Sequence, residues 1–178
     1  AMMVAGLVRM GERDAARDFV DWFGGHVFPS GKVPCCVDGR GADPVVENDS
    51  HGQLLFLIAE TVRYTGDRGL AARMWPHVVS AVSYPDQLRQ KRRTVEYQTP
   101  EKRVFYGLLP ESISHEGYSA KPMHSYWDDF FGLRGLKDAV TLATLLGKEA
   151  EAKDFARIRD EFAADLHASI RLVMERHA

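Results

Sequence analysis

The sequence predicts an all-α fold: one domain of antiparallel helical hairpins spanning residues 1–178. Three observations carry that prediction. Apolar residues recur at helical rather than alternating spacing along most of the chain. Three short connectors, "MGER" at Gly11, "TGDR" at Gly66 and "LGKE" at Gly147, each join two such segments. A glycine followed by a charged residue suits a left-handed helix C-cap that leads straight into the next helix. No stretch has the pattern of a long strand.

Taken in order, the periodicity places a first helix over about 1–10 and a second over about 13–23. "HVF" and "KVPCC", either side of Pro29-Ser30-Gly31, have the pattern of a small hairpin. A third helix covers about 51–65, with Leu54, Leu55, Ile58, Ala59 and Val62 on one face. The fourth region, about 67–93, carries Leu70, Met74, Val78, Val79 and Val82. Pro76 is expected to start a fresh helix there and Pro85 to kink it. The run "RQKRR", Arg89 to Arg93, reads as a solvated face that complements the helix C-terminus. A fifth helix, about 126–146, is apolar almost all round, whereas a sixth, about 149–176, sets Phe155, Ile158, Phe162, Leu166, Ile170 and Val173 against a charged side. That contrast predicts two concentric layers, with the first helix of each hairpin inside.

The remaining connections, about 24–50 and 94–124, far exceed the ~4–6 residues typical of compact domains. If each hairpin has its tight turn at one end, both long loops gather at the other, where sites usually sit.

Composition narrows the function. A net charge of −2 calls for neither nucleic acid nor an anionic membrane surface as partner. No apolar run approaches the ~18 residues needed to span a bilayer. No signal peptide is visible, which leaves localisation open, and "AMMVAGLVRMG" begins inside a helix, as an excised piece of a longer protein would. Cys35 and Cys36 are adjacent, without CxxC or zinc-like spacing, so partly buried thiols are expected, with a vicinal disulfide the alternative. "HEGYS" lacks the second histidine of HExxH. No metal and no cofactor are expected.

Candidate chemistry lies in the long loops. "PVVENDSHGQ" supplies Glu47, Asn48, Asp49 and His51. Asn48, Asp49 or Ser50 equally suits a cap for the third helix, and Asn48-Asp49-Ser50 also fits a glycosylation sequon. The second loop holds Glu111, His115, Glu116, Tyr118, His124, Tyr126 and Trp127, and runs into Asp128 and Asp129. Ser125 is placed to cap the fifth helix, and acids favour its positive end. Capping leaves the aromatics unexplained. Rings beside carboxylates suit a polyhydroxylated ligand, with the rings against its C–H faces and the acids on its hydroxyls.

"TVRYTGDRGLAARMWPHVVSAV" (Thr61 to Val82) and "SYWDDFFGLRGLKDAVTLATLLG" (Ser125 to Gly147), with the helical pairs, resemble the six-hairpin glycosidases, which include glucoamylases, trehalases and maltose phosphorylases. The resemblance runs from about Gly31 to the end, and more loosely over the whole chain. It implies an (α/α)6 barrel, of which three hairpins are present. "YWDDFF" is similar to the Trp-Asp-Ser-Tyr motif of trehalases, which implies that Asp128 grips sugar hydroxyls in the cleavage subsite. "LLPESISHEGY" is similar to the Gly-Pro-Asp-Glu-Tyr-His motif of disaccharide phosphorylases, which implies Glu111 as general acid, with Glu116 its rival. Burial beside aromatics is expected to raise the acid's pKa.

An inverting enzyme needs a second carboxylate roughly 6.5–9.5 Å away, and Asp49 or Glu47 is this chain's candidate. The family commonly draws that base from a later hairpin. Glu47, Asn48, His51, His115, Tyr118, His124, Tyr126, Trp127 and Asp129 are then expected to bind an oligosaccharide or glycoside substrate. Half a barrel would leave inner-helix surface exposed, so self-association as a homodimer is expected, and the piece alone is expected to be inactive. The alternative is a non-catalytic helical repeat scaffold. Its repeats should recur at one period, whereas the turn glycines are separated by 55 and then 81 residues. "DDFFG" also echoes the metal motif of terpene cyclases but lacks its further acid.

Overall fold

The computed structural model describes residues 1–113 and 121–177. Six helices carry them: α1 (Met2–Arg9), α2 (Arg13–Gly24), α3 (Asp49–Thr65), α4 (Arg68–Gln90), α5 (Tyr126–Leu145) and α6 (Glu149–His177). The glycine connectors behave as their chemistry requires. Gly66 and Gly147 take φ of 70° and 71°, and the Gly66 N–H closes α3 on the Val62 carbonyl at 2.8 Å. Asp67 then caps α4 by accepting the Leu70 N–H at 2.8 Å. Ser125 caps α5, accepting the Trp127 N–H at 3.2 Å.

α3 is the most enclosed helix: every residue from Asp49 to Val62 except Gln53 is buried. It packs on α1, α2 and α4 and most extensively on α5, which in turn packs on α6. Val20, Leu54, Ile58, Leu70, Val78, Leu142, Phe162 and Leu166 meet in the shared core. α5 is less enclosed than its composition suggests. Arg134, Lys137, Thr141 and Thr144 form an exposed stripe at helical spacing, and Leu133, Val140, Leu145 and Leu146 are half-buried.

Three sequence expectations are corrected. α4 runs on through Pro76, so no fresh helix starts there, and Pro85 lies inside the same helix. An interior proline costs ~3 kcal/mol, but Leu70, Met74, Val78 and Val82 bury one continuous face at ~1.5–3 kcal/mol each, and that face wins. The strand pair lies at β1 (Val37–Asp38) and β2 (Gly41–Ala42), around the Gly39-Arg40 turn, and not about Pro29-Ser30-Gly31. The earlier segment forms no strand pair but a tight turn, with the Gly31 N–H on the Phe28 carbonyl at 2.8 Å and the Phe28 N–H on the Lys32 carbonyl at 2.9 Å. Finally, "RQKRR" is no uniformly solvated face, because Arg89 and Arg92 are buried.

The two long connections meet. The Ile113 N–H donates to the Val46 carbonyl at 2.9 Å, and the Asn48 amide donates to the Pro110 carbonyl at 2.8 Å. Each connection thereby satisfies backbone or side-chain polar groups of the other at the N-terminal ends of α3 and α5.

Candidate functional site

A cavity of about 430 Å³ opens where those ends meet the segment after α2. One wall is aromatic. Phe19, Trp22 and Phe23 sit at i, i+3 and i+4 on α2, with ring centroids 5.5 to 6.2 Å apart. The other wall is acidic and comes from Glu47, Asp49 and Asp128, with Trp127 at its edge. Asp49 Oδ2 accepts the Trp127 indole N–H at 2.9 Å and the Gln53 amide at 2.6 Å. These bonds hold the ring of a 51 % exposed Trp127 against α3, while Trp22, which also lines the cavity, is 49 % exposed. Both tryptophans line the same hollow and are about half exposed.

Asp128 lies on the cavity wall and is 4 % exposed. Its Oδ2 accepts the Ser112 hydroxyl at 2.6 Å. Burial pushes its carboxyl up to about 6, with the neighbouring charges of Asp49 and Glu47 adding to the effect; the Ser112 hydroxyl and the Asn48 backbone N–H oppose it. Asp129, one helical step round, turns away from the cavity and accepts the Leu109 N–H at 3.0 Å. Burial raises that carboxyl to about 7, and the charge of Asp128 adds to it.

Asp129 yields a pH prediction. The native state holds its proton from the usual value near 3.8 up to about 7, a window in which the unfolded chain has released it. Stability from this group therefore falls as pH rises through that window and is lowest above 7. Asp129→Asn should stabilise the fold by on the order of 3 kcal/mol at pH 8 and change little at pH 4, read from urea denaturation. An equal gain at both pH values would show that the carboxyl is not held protonated.

Other anticipated residues have different duties. Glu111 does not have a raised pKa. Burial acts to raise it, but a backbone N–H, His124 and Arg92 outweigh burial and leave it below the ordinary range. It forms ion pairs with Arg92 and with His124 Nε2, the latter at 3.0 Å, and does not line the cavity. His124 stacks on Phe105 with centroids 3.9 Å apart. Tyr126 pairs its hydroxyl with Ser169 Oγ at 2.8 Å, toward α6. His51 is buried and stacks on Tyr84 at 5.1 Å. Its Nε2 accepts the Val33 N–H at 3.2 Å, which leaves the proton on Nδ1 facing the Asn48 carbonyl at 3.4 Å. Burial depresses its pKa to about 4, so it is a neutral strut between the first long loop and α3. Asn48 is buried with its amide on Pro110, which closes the sequon to glycosylation, and it caps α3 through its backbone alone. His115, Glu116 and Tyr118 lie outside the described residues.

The sequence reading missed the aromatic wall, Ser112 and Gln53. The spacing of Phe19, Trp22 and Phe23 was the available signal, but the same stripe reads equally well as core packing. It also missed the cysteine surroundings. Cys35 and Cys36 are free, with Sγ atoms 3.3 Å apart, and both line the cavity. The turn brings Asp43 to them, so that all three ligand atoms lie within 4.8 Å of one another. Burial first, then the bond to Cys36 and nearby carboxylates, push the Cys35 thiol up to about 12. It is therefore a poor nucleophile.

Comparison with protein-family models, with curated proteins and with solved structures gives no significant match for the chain.

Proposed function

We propose that this chain is the substrate-binding and catalytic part of a glycoside hydrolase built on an (α/α)6 scaffold like that of the six-hairpin glycosidases, with three hairpins in two layers. The observation that carries the reading is one cavity lined by both aromatic rings and acids, with a buried carboxyl of raised pKa among them. Sugars need both surfaces at once: rings for their C–H faces, carboxylates for their hydroxyls.

Asp128 acts as general acid. Its carboxyl, held at Oδ2 by the Ser112 hydroxyl, gives its proton to the departing glycosidic oxygen. Asp49 is this chain's candidate for the base that receives a proton from attacking water, with inversion at the anomeric carbon. Water is the acceptor in this scheme rather than phosphate, because no lysine or arginine is among the described residues that line the cavity.

Tryptophan fluorescence quenching tests the binding half. Glucose oligosaccharides should quench it, and Trp22→Ala should weaken binding about tenfold. Release of reducing sugar, measured on a complete enzyme that carries these three hairpins, tests the chemistry. Asp128→Asn should preserve binding and lower turnover by about 10²–10⁴. Undiminished turnover in Asp128→Asn removes the assignment.

Self-association follows from the same reading. Met2, Met3, Leu7 and Met10 form an exposed apolar stripe on and just beyond α1. Sedimentation velocity should show a dimer or larger species that Met3→Glu with Leu7→Glu reduces to monomer. A wild-type monomer at high concentration would contradict this.

A further inference from the structure

We infer that Cys35, Cys36 and Asp43 form a binding site for one thiophilic divalent metal ion of the zinc class. The inference does not rest on the carbohydrate reading. Adjacent cysteines have no zinc-like spacing along the sequence, and the hairpin supplies it in space. β1 and β2 pair Val37 with Ala42 and Asp38 with Gly41, so the next pair in register is Cys36 with Asp43. The Asp43 N–H donates to the Cys36 carbonyl at 3.0 Å, as that register requires. Directly opposed residues carry their side chains on one face. Successive residues of an extended strand point to opposite faces, but the chain bends at Cys35 and brings its Sγ to 3.3 Å from that of Cys36.

The distances suit one ion. Two sulfurs bound to zinc at ~2.3 Å in tetrahedral geometry stand about 3.8 Å apart, so the pair has to open by only about half an ångström. An Asp43 carboxylate oxygen lies within 4.8 Å of both sulfurs. The carboxylate is already oriented, because its Oδ1 accepts the Val45 N–H at 2.9 Å, the kind of bond that supports a metal ligand. Cys35 and Cys36 line the cavity, which gives an ion its entry path. Sulfur rather than accumulated charge does the selecting. Lys32 bonds the Pro44 carbonyl and its charge reaches Cys35 and Asp43, which disfavours an ion held by charge alone. Calcium and magnesium bind through oxygen, of which this set offers one carboxylate. Coordination exchanges the Cys35 S–H···S contact for two metal–sulfur bonds, and the displaced thiol protons pass to solvent. The fold also gains, since a hairpin of two-residue strands is marginal without a clip.

The test is titration of the 178-residue chain with Co²⁺ and then Zn²⁺ under a phosphine reductant. Cobalt should bind at one equivalent with a near-ultraviolet sulfur-to-metal charge-transfer band, and zinc should displace it. Cys35→Ala and Cys36→Ala should each weaken zinc binding about 100-fold or more, since even a supporting residue is worth ~10–100-fold. Asp43→Asn should weaken it at least about tenfold and keep the sulfur band. On the unaltered chain, zinc should slow both the alkylation of the two cysteines by iodoacetamide and hydrogen exchange at residues 37–42. Those two readouts need no variant to fold.

A cobalt spectrum without the sulfur band, zinc affinity unchanged in either cysteine variant or in Asp43→Asn, or alkylation that zinc does not slow overturns the inference. Each of these results leaves the carbohydrate reading intact, and failure of sugars to bind leaves the metal site standing.

Discussion

Alanine in place of Gly52 is expected to destabilise the protein by about 4 kcal/mol or more, measured by urea denaturation. Two effects oppose each other. Alanine is the better helix former by ~1 kcal/mol, and Gly52 lies inside α3. Against that, a Cβ at position 52 would sit 2.0 Å from the Phe131 carbonyl oxygen and 2.8 Å from the Gly132 nitrogen. Both are backbone atoms of α5, so no rotamer change relieves the overlap. Gly135 closes the same contact from the other side, since a Cβ there would meet the Gly52 Cα at 2.6 Å. The helices must separate, and the clash wins.

The cost extends to the site. α3 begins with Asp49 and α5 carries Trp127 and Asp128, so parting the helices breaks the 2.9 Å bond from Trp127 to Asp49 and disperses the acidic wall. Gly6→Ala in α1 is the control. Nothing lies within 4 Å of its added Cβ, so it should stabilise by about 0.5–1 kcal/mol. Equal behaviour of the two variants would mean that α3 and α5 do not approach this closely.

That contact also shows where sequence reading stops. The six helices were legible because periodic burial is a local pattern repeated over many residues. In α6, for example, Phe155, Ile158, Phe162 and Leu166 are all buried, as their spacing implied. The acidic half of the site was legible for a topological reason: long loops at the same end of paired helices become neighbours, which brought Asp49 toward Asp128. Gly52 and Gly135 gave no such sign, because a helical glycine looks like a weak position until its partner helix is known. His51 reads as a substrate-binding residue from its place among acids, yet it is buried on the Val33 backbone and Tyr84. Within "RQKRR" the five residues look alike. Two of them are buried, Arg89 on a carboxylate 76 residues away and Arg92 on Glu111.

Arg89→Ala is accordingly expected to cost about 3–5 kcal/mol, well beyond the effect of a surface arginine. The side chain is 1 % exposed. Its Nε donates to the Gly107 carbonyl at 2.8 Å, Nη1 to Asp86 at 2.9 Å and Nη2 to Asp165 at 3.1 Å. The guanidinium lies 4.2 Å from the Phe162 ring centroid. Truncation leaves Asp165 half-buried with Arg93 as its one cation among the described residues, and leaves the Gly107 carbonyl without this donor. The loss is dominated by those stranded groups rather than by the pair itself. Removing the pair together, as Arg89→Met with Asp165→Asn, should therefore cost markedly less than Arg89→Ala alone. Arg89→Lys should remain costly, since an ammonium cannot span three acceptors in one plane. The functional consequence is local as well as global. Gly107, at φ 68°, opens the stretch that delivers the Leu109 N–H to Asp129 and the Ser112 hydroxyl to Asp128. Hydrogen exchange at residues 107–113 should quicken in Arg89→Ala under conditions where α3 amides stay protected, and binding at the cavity should weaken with it. Unchanged exchange in that stretch, with stability within 1 kcal/mol of the parent, would mean that Arg89 does not anchor the loop to α4 and that Ser112 reaches Asp128 by other supports.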